Sequence, residues 1–134
     1  MDLTVPQLLK VENYENEKGL TFVLQEALGT HFEVERIYYL SNSKIASRGS
    51  HGHKKLAQIF LSLIGNHILK LTDGLDEFEF ELKENADAVY VPAGFWREIA
   101  DLNENSKVLV LANMKYDPTD YLPTYEEFLE WKKS

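Results

Sequence analysis

The chain has 134 residues, 44% hydrophobic and 27% charged, enough to bury a core without covalent staples and too apolar for a disordered segment. It has no cysteine, which excludes a disulfide framework and a zinc–thiolate site and suits a reducing cytosol. A net charge of −8, from 22 acidic and 14 basic residues, argues against nucleic acid and anionic membrane as partners.

The opening MDLTVPQLLK has neither a basic start nor a sustained apolar run, so no signal peptide is expected and the expected location is cytoplasmic. No apolar stretch approaches the ~18 to 20 residues of a membrane span. Strand-like runs then recur about every ten residues, the rhythm of an all-β sandwich or barrel. They are LTFVLQEA from Leu20, FEVERIYYL from Phe32, HKKLAQIFLSLIG from His53 and NHILKLTDG from Asn66. DEFEFELKE from Asp76, DAVYVPAG from Asp87, FWREIADL from Phe95 and KVLVLANMKY from Lys107 complete the set. Phe78, Phe80 and Leu82 alternate with Glu77, Glu79 and Glu81, which predicts a strand with one wet face. Asp73–Gly74 and Gly65–Asn66 mark hairpin turns.

The tail changes character. Thr124 with Glu127 has capping-box spacing, and Tyr125, Phe128, Leu129 and Lys132 share one face of a short helix. No repeat, linker or low-complexity segment divides the chain, so residues 1–134 are expected to form a single domain.

The chemistry concentrates in one stretch. Side chains at i and i+2 of a strand point the same way, so His51 and His53 project together. Two imidazoles titrating near neutrality suit taking a proton at one atom and returning it at its neighbour. Arg48, Lys54 and Lys55 flank them without an acid, a basic island fit for a small anion. Arg48 and Arg97 can neutralise a phosphate or an oxyanion. Tyr38 or Tyr39 can stack on a base or sugar, or donate to an enolate, although both also suit a core. His31, His67 and Trp96 read as core residues, and Asp117 and Asp120 as surface charge.

The run RGSHGHKKLAQIFLSLIG (Arg48 to Gly65) resembles the first cupin motif, H-x-H-x4-E-x6-G. VPAGFW followed by Arg97 resembles the second, P-x-G-x2-H, counted from Pro92 and Gly94. Metal-binding cupins place two His, a Glu and a third His in those slots. Here the Glu slot holds Gln58 and the third His slot holds Arg97, and a guanidinium has no lone pair to give a cation.

Longer stretches are similar to the WxcM-like branch of the RmlC-type cupins, the sugar-nucleotide 3,4-ketoisomerases. They are R-I-Y-Y (Arg36 to Tyr39), R-G-S-H-G-H-K-K (Arg48 to Lys55), V-P-A-G-F-W-R-E-I (Val91 to Ile99) and Y-D-P-T-D-Y-L-P-T-Y-E-E-F (Tyr116 to Phe128). With E-N-E-K-G-L (Glu15 to Leu20), which resembles the family's D-x-R-G-x-L, the likeness runs from about Glu15 to Phe128. It implies an antiparallel cupin barrel or jelly roll with a short C-terminal helix. It also implies a homodimer with exchanged N-terminal strands, and a reaction that needs no metal or other cofactor.

The implied activity moves the keto group of dTDP-4-keto-6-deoxy-D-glucose from C4 to C3, ahead of amination in building a 3-amino-3,6-dideoxy sugar. By position, His51 looks like the base, His53 and Tyr38 complete the catalytic pocket, and Arg48, Lys54, Gln58 and Arg97 bind substrate. The chain departs from the family where members often carry His at the position of Arg97 and Arg at that of Lys18. Two rival readings stay open, a dTDP-sugar 3,5-epimerase and a non-catalytic nucleotide-sugar-binding cupin.

Overall fold

Alternation of apolar and polar residues sets most of the strands, and the computed structural model describes residues 2–25, 31–42, 44 and 46–134. In chain order the elements are β1 (Gln7–Leu9), β2 (Glu12–Asn16), β3 (Gly19–Val23), β4 (Arg36–Ser41), β5 (Ala46–His53) and β6 (Gln58–Ile64). They continue with β7 (His67–Thr72), β8 (Glu77–Leu82), β9 (Ala88–Val91), β10 (Trp96–Leu102), β11 (Lys107–Ala112), β12 (Tyr121–Leu122) and α1 (Tyr125–Lys133).

The strands form two five-stranded antiparallel sheets, ordered β1-β9-β6-β11-β4 and β12-β5-β10-β7-β8, with β2 and β3 as a separate hairpin. The expected cupin jelly roll is what forms. It remains a two-sheet sandwich among the described residues and does not close into a barrel.

The core lies between the sheets, where Phe60, Val89, Val108 and Val110 meet Leu69, Leu71, Ile99 and Leu82. Each such side chain, once fully buried, contributes roughly 1.5–3 kcal/mol. Alternation puts Ile59, next to Phe60, on the opposite face of β6, in a second cluster with Leu9, Val11, Phe32, Ala88 and Tyr90. On β8 the phenylalanines turn inward and the glutamates face water, a charged edge that discourages further pairing. Among the described residues no helix is long and apolar enough to cross a membrane.

Several boundaries differ from expectation. The run HKKLAQIFLSLIG is not one strand: β5 ends at His53, residues 54–57 cross over, and Gln58 opens β6 in the other sheet. Side chains hold the crossover, with Asn113 Oδ1 accepting from the Ala57 amide at 2.9 Å and Asp120 accepting from Lys55. FEVERIYYL pairs only from Arg36 onward, although Phe32 is buried. LTFVLQEA is a strand only to Val23, and Glu26 and Ala27 lie outside the described residues. The paired segments Gln7–Leu9 and Glu12–Asn16 were not expected: the first pairs with β9, and ENYEN is mostly polar and pairs with β3.

Candidate active site

The site is built around β5, which lies between β12 and β10. His51 and His53 project inward from it. Gly52 projects the other way, and a Cβ there would stand 2.9 Å from Phe128 Cδ1 and 3.3 Å from the Phe95 carbonyl. Only a glycine lets α1 seat Phe128, which is fully buried, directly behind the histidines. That helix starts where predicted, with Thr124 Oγ1 accepting from the Glu127 amide at 3.1 Å.

Two residues before His51, Gly49 breaks the regular strand with φ of +71°. A Cβ there would meet Arg97 Nη1 at 2.5 Å, so this glycine serves both the backbone turn and the seating of the guanidinium.

Arg97 comes from β10, in register with His51. It is 3% exposed. Its Nε donates to Gln58 Oε1 at 2.6 Å, its Nη1 to the Gly49 carbonyl at 3.0 Å, and its Nη2 to His51 Nε2 at 2.8 Å. A longer contact of 3.5 Å runs from Nη2 to the Tyr38 hydroxyl, and the Phe60 ring lies 5.1 Å beneath the guanidinium. None of these partners is a carboxylate. Burial pulls the Arg97 pKa below its ordinary value, with Tyr38 and Tyr121 opposing, yet a guanidinium stays charged in proteins. The cluster therefore carries a fixed positive charge with no acid among these partners to neutralise it.

Gln58 and Tyr38 reach the same point from the opposite sheet. Gln58 Nε2 donates to the Tyr38 hydroxyl at 2.8 Å. Since that oxygen already accepts from Gln58, its own proton is free to be donated to a ligand. Sequence spacing placed Gln58 beside Arg97, and the structure pairs them across the sandwich.

The two imidazoles pack edge to face with ring centroids 5.0 Å apart, and Tyr121 lies 4.6 Å from His51 and 5.9 Å from His53. Burial, then the Arg97 charge, then His53 lower the His51 pKa to about 2. Burial and Arg97 lower that of His53 to about 4, while Asp120 pulls it upward. The Asp120 carboxylate stands 3.0 Å from His53 Nδ1, and also accepts from the Lys55 and Leu56 amides at 2.5 and 3.4 Å. His53 Nε2 is buried and has no hydrogen-bond partner.

Five of the expected site residues thus converge: His51, His53, Tyr38, Gln58 and Arg97. Arg48 and Lys54 lie on the exposed rim, Arg48 donating to the Ser41 carbonyl and to Asn42 Oδ1, both at 3.2 Å. Asp120 is a correction. Read as surface charge, it is 4% exposed and lies under His53, whereas Asp117 is exposed as expected.

His67 is buried as expected, but His31 is exposed. Trp96 packs on Tyr125 and Phe128, as a core residue would. Tyr39 is exposed on the face of β4 opposite Tyr38. Arg36 was quoted only for its likeness to the family; its guanidinium lies over the Tyr38 and Tyr116 rings at 5.3 and 5.7 Å. Tyr121 was missed, because an isolated tyrosine in a proline-flanked tail carries no periodicity.

Comparison with known proteins agrees with this geometry. The profile of the family described as FdtA, WxcM-like, C-terminal, matches residues 1–133. The chain is 32% identical over 126 residues to the TDP-4-oxo-6-deoxy-alpha-D-glucose-3,4-oxoisomerase of Aneurinibacillus thermoaerophilus, covering 91% of each. Its fold matches a 3,4-ketoisomerase from Helicobacter canadensis with a TM-score of 0.88, at 28% identity, over 96% of this chain and 98% of that one. It also matches QdtA, a sugar 3,4-ketoisomerase from Thermoanaerobacterium thermosaccharolyticum solved in complex with TDP. There the TM-score is 0.85 at 30% identity, over 96% of this chain and 94% of that one.

Proposed function

The chain belongs to the FdtA (WxcM-like, C-terminal) family, and on that premise we propose that it moves the keto group of dTDP-4-keto-6-deoxy-D-glucose from C4 to C3. The observation that carries this reading is the pair of imidazoles, depressed to about 2 and about 4, against a buried guanidinium with neutral partners. Both rings are uncharged bases at neutral pH, and a fixed cation waits where an enediolate oxygen would form.

The reaction requires two proton movements. One proton leaves C3 and one arrives at C4; one leaves the C3 hydroxyl oxygen and one arrives at the C4 oxygen. Two adjacent bases suit two transfers. In this proposal His51 removes the C3 proton and, as the resulting imidazolium, delivers a proton to C4, while His53 relays the proton between the oxygens. Arg97 transfers its hydrogen bond from His51 Nε2 to the developing oxyanion, an interaction worth roughly 3–4 kcal/mol for one well-placed donor. Tyr38 donates a hydrogen bond from its free hydroxyl to the sugar. Gln58 holds Arg97 and Tyr38 in place, and Arg48 and Lys54 on the rim receive the diphosphate.

We read the chain as one cytoplasmic domain that works as a homodimer. The β2–β3 hairpin pairs only with itself among the described residues, and its Leu20 and Phe22 are exposed, as are Ile37 and Tyr39 on the edge strand β4. Exchange of the hairpins between two copies would bury that surface.

Proton NMR of the protein with dTDP-4-keto-6-deoxyglucose in deuterium oxide tests the activity. The expected product is the 3-keto isomer with deuterium at C4. His51→Asn should lower kcat by at least about 100-fold with dTDP binding intact by calorimetry. Deuterium at C5 would instead revive the 3,5-epimerase reading, which is weaker because the relatives matched along nearly the whole chain are ketoisomerases. Tight dTDP binding without any exchange would mark a non-catalytic binder.

A further inference from the structure

We propose that Asp120 is a positioning residue: it holds His53 with its proton on Nδ1 and its lone pair free on Nε2, while Arg97 holds His51 in the same tautomer with that lone pair engaged. The assignment follows from what each partner can do. A carboxylate only accepts, so the 3.0 Å contact of Asp120 Oδ2 with His53 Nδ1 places a proton on that nitrogen. In the neutral ring Nε2 is then bare, and it is the buried nitrogen that has no partner. A guanidinium only donates, so the 2.8 Å contact of Arg97 Nη2 with His51 Nε2 leaves that nitrogen unprotonated and puts the proton on Nδ1. One ring therefore has an uncommitted lone pair, and the other has its lone pair masked until Arg97 finds another acceptor.

Asp120 is itself fixed. Its 4% exposure and its contacts with the Lys55 and Leu56 amides leave the carboxylate little freedom, so the orientation it imposes on His53 is rigid. The titratable and charged groups around His53 are His51 and Tyr121 in ring contact, the cations Arg97 and Arg36, and Asp120 itself. Against two cations, the carboxylate also preserves basicity at Nε2. An imidazole oriented by a carboxylate in this way loses most of its catalytic value when the partner becomes an amide of the same shape.

The inference rests on the proposed ketoisomerisation for its kinetic consequence, but the tautomer can be read without turnover. Nitrogen-15 NMR of histidine-labelled wild-type protein should show His53 protonated on Nδ1 and His51 protonated on Nδ1 with Nε2 bare; a proton on His53 Nε2 would overturn the assignment. In Asp120→Asn the amide oxygen keeps the Lys55 contact, the amide nitrogen faces His53, and the ring should switch to the Nε2–H form. Turnover should then fall about 100-fold or more in kcat with KM little changed, and the acid limb of kcat/KM should move to lower pH because a raising influence is gone.

Asp120→Glu, which keeps a carboxylate, should recover part of kcat. A purely structural role for Asp120 would lower the melting temperature but leave the tautomer and the acid limb where they were, and that result would sink the proposal. Wild-type protein with the expected ring spectrum but no isomerisation would instead count against the proposed function alone.

Discussion

His51 and His53 bind protons less readily in the folded chain than an ordinary imidazole at 6.5, down to about 2 and about 4. The unfolded chain therefore takes up more protons below that ordinary value, and stability rises with pH across the window. The contribution is complete above about pH 6.5 and is lost as pH falls through about 4 and toward 2. For activity, kcat/KM is expected to stay level from about pH 8 down through 6.5, with the acid limb near the folded His53 value. A pH–rate profile breaking at the ordinary imidazole pKa would contradict the burial of the pair.

Much at this scale was legible, since His51, His53, Gln58 and Arg97 all announce themselves by spacing. Asp120 did not. An aspartate in a polar, proline-flanked tail looks solvated in any one-dimensional reading, and only the return of that tail beside β5 brings it under His53.

Among the elements, β5 carries the most constraint for its length, because its two glycines serve opposite faces. Gly52→Ala is expected to overpack the contact with Phe128 and lower stability by about 1–3 kcal/mol. Thermal melts would register a loss of several degrees, and Gly52→Ala with Phe128→Leu should regain part of it, giving a coupling a double-mutant cycle can measure. Unchanged melting for Gly52→Ala would mean that α1 does not press on the strand.

Strands with an apolar stripe, such as β8 and β10, were readable from alternation within a residue or two, whereas the runs expected for β9 and β11 extend past the observed ends to Gly94 and Tyr116. Of the hairpin, β3 was readable and β2 was not, nor was the break between β5 and β6. That break depends on Asp120 and Asn113, side chains more than fifty residues away, capturing the crossover amides.

At the scale of the whole molecule, exposed Ile37 and Tyr39 stand on the outer face of an edge strand, and the β2–β3 hairpin pairs only with itself among the described residues, on a chain of net charge −8. If two copies share these surfaces, the melting temperature must rise with protein concentration. Sedimentation equilibrium should give twice the chain mass, and Ile37→Asp with Tyr39→Asp should give single chains; a concentration-independent monomer in the unsubstituted protein would refute the exchange.

The order of parts along the chain has a genetic corollary. Every group assigned to proton handling lies before Pro123, whereas Phe128, which backs Gly52, comes after it. A nonsense codon immediately beyond Pro123 would spare every reactive group and still produce a null allele, because the truncated product would lack the buttress that keeps the catalytic strand in place.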